Sequence, residues 1–292
     1  MEHKNLDNCP ICDSSSFEKF KDVTDNMITK EKFTIVKCSD CNFHFTNPIP
    51  SEDFIGKYYK GDAYVSHSSS KKGLINKIYN IVRSYTLNKK VALLKDLNVG
   101  NEVLDIGAGT GHFLNACKQK GFSVIGLEPD EDARKFAKDN FKVDLFPLEK
   151  LTSIEESSKD IITMWHVLEH VYHLKRDFEI LTKILKPSGR IIIAVPNLES
   201  YDAQVYSELW AAYDVPRHLY HFRKKDIENL ANHFGFKVEK VKPMKFDSFY
   251  VSMLSEKYKN GSIVKAFING FKSNSKAKDF GYSSQIYILS KN

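Results

Sequence analysis

The chain has 292 residues, of which 42% are apolar, and this is enough to build one large domain with a small appendage. Its formal net charge of +6 is modest for this length, so it permits an anionic substrate or cofactor without requiring nucleic acid. The longest apolar run, Ile191–Val195, is too short to cross a bilayer, and the polar start of the chain has no apolar signal-peptide region, so we expect a cytoplasmic location.

Four of the five cysteines form two C-x-x-C pairs, Cys9 with Cys12 and Cys38 with Cys41, with 25 residues between the pairs. A tetrahedral zinc ion requires this arrangement, because each pair curls around the metal in a tight turn. Four thiolates leave no open coordination position, so we expect a structural zinc. The alternatives are four unconnected cysteines or a disulfide framework, which the lack of an export signal disfavours.

The cysteine segment is predicted to end near residue 50. The run "KFTIVKC" (Lys32–Cys38) predicts one strand, and "FHFTNPIP" (Phe43–Pro50) predicts a second strand that halts at its prolines. We therefore predict a small zinc-ribbon-like module over residues 1–50.

Residues 51–100 predict a helical connector and lid. Within them, Lys71–Leu97 carries apolar residues at helical spacing, which suits one or two amphipathic helices. Seven residues of this segment are basic and only Asp96 is acidic. A solvated helical face explains this charge, and contact with an anion or a membrane surface is the alternative.

From residue 101 onward, short apolar runs alternate with helical patterns, which predicts a parallel, doubly wound α/β sheet. The predicted strands are Glu102–Gly107, Ser123–Glu128, Lys142–Phe146, Asp160–Trp165 and Arg190–Val195. The predicted helices between them are Gly111–Lys120, Glu131–Asp139 and Arg176–Leu185.

The remainder of the chain continues this domain to residue 292. It predicts a helix over Lys224–His233 and strands over Phe236–Val241 and Ser284–Ser290. Between these two strands lies an aromatic-rich insertion at about Phe246–Phe280, which we expect to contribute to the lid.

A glycine-rich loop follows the first of these strands in "VLDIGAGTGHF". Gly107, Gly109 and Gly111 are present, but His112 stands where a dinucleotide fingerprint requires a glycine. Such a loop before a helix still lets the backbone approach a ligand closely and offers N–H groups to a carboxylate. Asp105 precedes the loop, where it would meet a cationic group, and Glu128 ends the next strand, where it can accept hydrogen bonds from a ribose diol.

These motifs, together with "GLEPD" (Gly126–Asp130), resemble those of the class I S-adenosylmethionine-dependent methyltransferases. The resemblance covers about residues 101–292 and implies a Rossmann-like, seven-stranded sheet. It also implies a set of cofactor residues, Asp105, Gly107, Ala108, Gly109, Thr110, Gly111, Glu128, Pro129, Leu148, Trp165 and His166. An unrelated α/β nucleotide binder is the alternative.

The segment "WHVLEHV" follows the fourth predicted strand. His166, Glu169 and His170 are spaced to share one face of a helical turn, which is a spacing that can hold a metal. The segment resembles one in quinone-precursor O-methyltransferases, where two glutamates and a histidine are associated with a divalent ion. His166 replaces the first of those glutamates, so we favour a structural or cofactor-lining role over a hard-cation site.

The stretch "WAAYDVPRHLYHF" (Trp210–Phe222) follows the fifth predicted strand, at the sheet edge that lines ligand crevices. His218 and His221 can titrate near neutral pH, Arg217 can pair with an anionic acceptor, and Tyr213 can form a pocket wall. We predict these four residues as catalytic, with a purely structural role as the alternative for the two histidines and Tyr213. The pattern Asp214–Phe222 resembles one in bacterial methyltransferases with an N-terminal cysteine ribbon, some similar to enzymes acting on nucleotide-linked sugars.

The sequence thus predicts a methyltransferase that uses S-adenosylmethionine and acts on a polar or anionic small molecule, such as a sugar, a nucleotide-sugar or a surface-polysaccharide precursor. The ribbon and the positive charge leave a nucleic-acid methyltransferase as an alternative, although the N/D-P-P-Y/F segment of amino-methylating enzymes is absent. A non-catalytic binding protein that uses the ribbon as an interaction module is the other alternative. The sequence does not define the oligomeric state.

Overall fold

The computed structural model describes residues 2–59 and 74–292. The start of the helical segment predicted at Lys71–Leu97 lies outside these ranges, and the rest forms one helix, α1 (Leu74–Leu97). Its last turns bury Val91, Leu93 and Leu94 against the large sheet. No helix in the described ranges is both long and apolar enough to span a membrane.

A small antiparallel sheet forms the N-terminal module. Its strands, in chain order, are β1 (His3–Lys4), β2 (Phe17–Thr24), β3 (Lys32–Cys38), β4 (His44–Thr46) and β5 (Ile49–Pro50). β2, β3 and β4 pair side by side, while β1 pairs with β5. The predicted second strand is therefore divided into β4 and β5. β2 was not predicted, because most of its residues are polar and exposed. Its pairing with β3 shifts register between Lys19 and Lys21.

The large sheet has seven strands among the described residues. They are β6 (Glu102–Ile106), β7 (Ser123–Leu127), β8 (Leu145–Phe146), β9 (Lys159–Trp165), β10 (Leu185–Pro196), β12 (Phe236–Pro243) and β13 (Ser284–Lys291). Their order is β12-β13-β10-β9-β6-β7-β8, and only the pairs made by β13 are antiparallel. The doubly wound α/β class predicted from the sequence is confirmed.

Helices cover this sheet. They are α2 (His112–Lys118), α3 (Glu131–Phe141), α4 (Leu174–Ile184), α5 (Tyr201–Tyr206) and α6 (Lys224–His233). α4 ends where β10 begins, so Leu185, predicted as the last residue of that helix, is the first residue of the strand, and the strand forms a bulge between Leu185 and Arg190.

The register of the parallel strands brings their carboxyl ends to one edge. Asp105 of β6 lies opposite Gly126 of β7 and Thr163 of β9. The loops that follow these three strands therefore open on the same crevice, which is where doubly wound sheets bind ligands.

The N-terminal module and the large domain share a strand. β11 (Tyr220–His221), from the histidine-rich stretch, pairs with β4 and becomes the edge strand of the small sheet, with Tyr220 opposite Phe45. One continuous apolar core includes Phe43 and Phe45 of the module and Leu104 of the large sheet. The histidine-rich stretch is thus held between the two sheets.

The insertion between β12 and β13 is helical. It contains α7 (Asp247–Tyr258), α8 (Ile263–Ser275) and α9 (Ala277–Phe280). α7 and α8 lie close together at Gly270, where an added Cβ would come 2.9 Å from the Cα of Phe249. Only a residue without a side chain permits this approach.

Candidate functional site

The loop after β6 is built from glycines in left-handed backbone conformations. Gly107, Gly109 and Gly111 have φ angles of 69°, 53° and 75°. A Cβ at Gly107 would come 2.4 Å from a methyl of Val167, whereas a Cβ at Gly109 would meet no atom within 4 Å. Gly107 is therefore needed for packing, and Gly109 borders open space at the crevice.

Glu128 follows β7 and faces this loop. Its side chain is buried, and its carboxylate accepts hydrogen bonds from the N–H of Gly109 at 2.7 Å and of Asp130 at 3.0 Å. Burial raises the pKa of Glu128, although these hydrogen bonds oppose the change. The carboxylate is thus fixed beside the open space at Gly109.

Asp105 lies deeper in the crevice. The hydroxyl of Thr163 donates to its carboxylate at 2.5 Å. Burial raises the pKa of Asp105 to about 7, against this hydrogen bond and the attraction of the Lys90 ammonium group. Lys90, on α1, was not singled out from the sequence, because one lysine in a basic helix carries no signal of its position.

The aromatic wall of the crevice is Trp165, at the end of β9. The ammonium of Lys90 lies 4.0 Å from the centroid of a Trp165 ring, and Phe113 packs against the indole edge-on. The indole Nε1 is buried and has no hydrogen-bond partner among the residues that the structure describes. An unsatisfied buried donor at the carboxyl end of β9 fits a site that binds a polar ligand.

The other predicted cofactor residues lie around the same edge. Ala108 is buried and Thr110 is half-buried in the glycine loop. Pro129 is exposed after β7, and Leu148 is exposed in the 3-10 turn Leu148–Ser153 that follows β8. These positions place the predicted set on the loops after β6, β7, β8 and β9.

His166 links the end of β9 to the insertion. Its Nε2 lies 2.9 Å from a carboxylate oxygen of Asp247, and its Nδ1 lies 3.3 Å from one of Glu169. Burial opposes the charged imidazolium, but the hydrogen bonds to Asp247 and Glu169 outweigh it and raise the pKa of His166 to about 10. Asp247 was not predicted as a partner of His166, since it lies 81 residues away in the insertion.

A second cluster joins the segment after β9 to the histidine-rich stretch. One ligand atom each from Glu169, His170 and His218 lies within 4.8 Å of the others. The Nδ1 of His170 contacts the carbonyl of Arg217, and the Nδ1 of His218 contacts that of Ala212, both at 2.9 Å. Each ring therefore donates through Nδ1 and keeps a lone pair on Nε2.

The electrostatics of this cluster keep one histidine neutral. Burial, followed by the nearby His218, lowers the pKa of His170 to about 4. The second carboxylate oxygen of Glu169 is buried and has no hydrogen-bond partner among the described residues. The helical face predicted for His166, Glu169 and His170 is not formed, because His166 has a positive φ and precedes the short 3-10 turn Leu168–His170.

Arg217 is committed to internal contacts. Its guanidinium forms ion pairs with Asp214 at 2.7 Å and Asp25 at 2.9 Å, and it donates to the carbonyl of Tyr58 at 2.8 Å. Arg217 and Asp25 are buried, Asp214 is half-buried, and Asp25 belongs to the N-terminal module. Arg217 therefore joins the two sheets, and its guanidinium does not point to the crevice with free donors for an acceptor.

His221 and Tyr213 also lie in the contact between the sheets. The Nε2 of His221 is 3.1 Å from the hydroxyl of Thr46, and its ring packs edge-on against Tyr213. Burial lowers the pKa of His221 well below its usual value. Of the four residues predicted as catalytic, only His218 has a ring nitrogen beside the Glu169 and His170 groups.

The four paired cysteines converge at the end of the module. Their sulfur atoms lie within 4.8 Å of one another, with Cys9 and Cys41 3.6 Å apart and Cys12 and Cys38 3.5 Å apart. The chain turns alike after each pair: the N–H of Asp13 donates to the Cys9 carbonyl and that of Asn42 to the Cys38 carbonyl. Such a set of thiols fits a closed tetrahedral metal site.

Comparisons with known proteins agree with this geometry. A family model described as a methyltransferase domain matches residues 79–241. The ubiquinone biosynthesis O-methyltransferase of Idiomarina loihiensis is 30% identical over 105 residues, which are 34% of this chain and 43% of that protein. The mitochondrial protein of the same name from Mus musculus is 26% identical over 168 residues, which are 51% of this chain and 45% of that protein. The chain thus spans less than half the length of these two relatives.

Solved structures share the fold. A SAM-dependent methyltransferase from Archaeoglobus fulgidus aligns with a TM-score of 0.50 at 24% identity, covering 72% of this chain and 94% of its own. Magnesium protoporphyrin IX methyltransferase from Synechocystis PCC 6803, with bound SAH, aligns with a TM-score of 0.55 at 15% identity. The alignment covers 83% of this chain and 100% of that chain. At these identities the likeness concerns the fold alone.

Proposed function

Because this chain belongs to the methyltransferase-domain family, we propose that it transfers a methyl group from S-adenosylmethionine to a small-molecule acceptor. The observation that carries the proposal is the buried Glu128 carboxylate, fixed by the Gly109 N–H beside open space. A carboxylate in this position accepts both hydrogens of a ribose diol. The unsatisfied Trp165 Nε1 and the buried Asp105 supply further polar groups in the same crevice.

The residues have distinct roles in this proposal. When bound, S-adenosylmethionine supplies an electrophilic methyl group on a sulfonium. Glu128 orients the ribose, the loop Gly107–Gly111 receives the methionine part, and Asp105 lies where its carboxylate meets the ammonium group. Trp165 forms the wall between this ligand and the segment after β9.

The acceptor side is formed by the cluster around His218. An acceptor hydroxyl or acidic carbon must lose a proton during transfer, and the lone pair on the His218 Nε2 is placed to accept it. The buried Glu169 carboxylate lies beside this ring and stabilises the imidazolium that forms. We assign Arg217, His221 and Tyr213 to positioning the loop rather than to contact with the acceptor.

The finer assignment of the acceptor rests on the sequence pattern of Asp214–Phe222. It points to a polar or anionic compound, such as a sugar, a nucleotide-sugar or a surface-polysaccharide precursor. Methyl-donor turnover against fractionated metabolites tests this class, and turnover on RNA or DNA with strong salt dependence would replace it by the nucleic-acid alternative. Binding of the cofactor without turnover on any fraction would favour the non-catalytic alternative.

A structural zinc ion in the module is part of the same proposal. Cys9, Cys12, Cys38 and Cys41 would hold it as thiolates, and the closed set of four leaves no position for a substrate. The ion would fix the ends of β3 and β4, against which β11 pairs.

The cofactor proposal is tested by calorimetry with S-adenosylhomocysteine. Glu128→Ala should weaken binding by about tenfold to a hundredfold, because two charge-assisted hydrogen bonds to the ribose are lost. Glu131→Ala, which changes an exposed carboxylate three residues later, is the control and should bind as the wild type does. Unchanged binding in Glu128→Ala would show that the cofactor assignment is wrong.

The role of His218 needs a separate experiment. His218→Ala should cut turnover while leaving S-adenosylhomocysteine affinity intact, since the ring lies on the acceptor side. His173→Ala, at a half-exposed ring paired with Glu52, is the matched control. Equal turnover in His218→Ala and the wild type would show that His218 is not catalytic and has only a structural role.

A further inference from the structure

The outer face of α8 consists of large apolar side chains. Five of them are between 48% and 69% exposed: Ile263, Val264, Phe267, Ile268 and Phe271. The inner face carries small residues, Ala266, Gly270 and Ser273. A helix that packs only for stability has the opposite distribution, with its large apolar residues inside. A contiguous exposed patch of this kind marks an interaction surface.

The small inner residues fix this orientation. Gly270 lets α8 approach α7 so closely that a Cβ would clash with Phe249. The hydroxyl of Ser273 donates to the buried Asp202 carboxylate at 2.6 Å. Turning the large side chains inward would break this hydrogen bond and overfill the helix contact, so the apolar face is held outward.

The apolar surface continues beyond α8. Phe267 packs against Phe249 of α7, with ring centroids 6.0 Å apart. Phe246, just before α7, lies 5.8 Å from Tyr85 of α1, and both rings are exposed. The patch therefore extends along the insertion towards α1.

The surroundings of this patch are strongly basic. Residues 245–280 contain seven lysines, all of them exposed: Lys245, Lys257, Lys259, Lys265, Lys272, Lys276 and Lys278. Of the three acidic residues, Asp247 bonds to His166 and Glu256 is buried, which leaves Asp279 as the exposed one. An apolar face with a cationic rim is complementary to a surface of acyl chains and anionic headgroups.

We propose that α8 docks on an anionic phospholipid surface. Phe267, Phe271 and their apolar neighbours would enter the boundary between headgroups and acyl chains, while the lysines extend to the phosphates. The charge also argues against a second copy of the chain as the partner. In a symmetric contact the same patch meets itself, so the two lysine rims would repel each other.

Vesicle sedimentation tests the proposal. The full chain should sediment with vesicles of phosphatidylcholine mixed with phosphatidylglycerol, and much less with phosphatidylcholine alone. The double variant Phe267→Ser/Phe271→Ser and the double variant Lys265→Gln/Lys272→Gln should each weaken binding by about tenfold. Phe54→Ser, at a phenylalanine exposed elsewhere on the chain, is the control and should bind as the wild type does.

Both double variants should keep the wild-type affinity for S-adenosylhomocysteine, because α8 packs mainly on α7 and α5 and the substituted side chains lie on its exposed face. Unchanged affinity would show that the variants are folded and would separate this result from the function proposed above. Equal sedimentation with neutral and anionic vesicles, or wild-type binding by the phenylalanine variant, would overturn the proposal. So would sedimentation equilibrium showing a wild-type dimer that Phe267→Ser/Phe271→Ser converts to monomer, since the patch would then belong to a second copy.

Discussion

Replacing Gly109 with alanine separates ligand binding from folding. A Cβ at this position meets no protein atom within 4 Å, so the new methyl group causes no internal clash. It does project beside the N–H that holds Glu128, into the space where the backbone must approach the cofactor. The affinity for the cofactor should therefore fall while the fold is retained.

The magnitudes follow from the backbone angle and the lost contacts. A residue with a Cβ in the left-handed conformation lowers the free energy of unfolding by about 1 to 2 kcal/mol. Alanine also reduces the conformational entropy of the unfolded chain, which offsets about 0.4 to 1 kcal/mol of this loss. A net loss of about 1 kcal/mol lowers the melting temperature by roughly 2 to 4 °C. Displacing the ligand from one or two charge-assisted hydrogen bonds costs about 1.5 to 3 kcal/mol each, which is at least tenfold in affinity.

Gly235→Ala supplies the matched control. Gly235 also has a positive φ, 75°, with no atom within 4 Å of an added Cβ, but it lies between α6 and β12, on the far edge of the sheet. Calorimetry with S-adenosylhomocysteine and thermal unfolding should show similar small stability losses in both variants and weakened binding in Gly109→Ala alone. Binding by Gly109→Ala within about twofold of the wild type would refute the location of the cofactor.

Three further outcomes are expected. Elemental analysis should find zinc in the wild type and in Cys117→Ser, at a cysteine outside the cluster, and should find none in Cys38→Ser. Arg217→Leu should destabilise the chain by about 3 to 5 kcal/mol in chemical unfolding, because Asp25 and Asp214 lose their buried counter-charge, whereas Arg176→Leu at an exposed arginine should change little. Asp247→Asn should lower the free energy of unfolding more at pH 6 than at pH 10. The folded chain raises the pKa of His166 from 6.5 to about 10, so the ion pair with Asp247 contributes fully to stability at about pH 6.5, and this contribution is lost as the pH rises towards 10. Unfolding curves of that variant and the wild type that differ equally at pH 6 and pH 10 would contradict the last prediction, and Asp279→Asn is its control.

Local patterns in the sequence were enough to predict several of the strands and helices. β3 and α6 have the predicted bounds, because alternation and helical spacing are properties of neighbouring residues. The glycine loop and Glu128 could be singled out for the same reason, since both follow a strand at a fixed distance, and their part in cofactor binding stays a prediction. The family match over residues 79–241 agrees with the resemblance based on these motifs.

Contacts between distant segments could not be predicted in this way. Arg217 was expected to meet an acceptor, but its partner Asp25 lies 192 residues earlier in the chain. Asp247 completes the environment of His166 from an insertion whose packing has no local signature. A buried arginine and an acceptor-binding arginine have the same sequence appearance, and only the fold distinguishes them.

The pairing of β11 with β4 has a consequence for exchanging parts between relatives. A chimera could take the N-terminal module from one protein and the stretch Trp210–Phe222 from another. The two halves of the β4–β11 pairing, of the apolar core and of the ion pair between Arg217 and Asp25 would then come from different proteins. The two segments, far apart in the chain, therefore behave as one inherited unit. A substitution that alters acceptor choice in the stretch will be tolerated only with a module that still completes the same sheet.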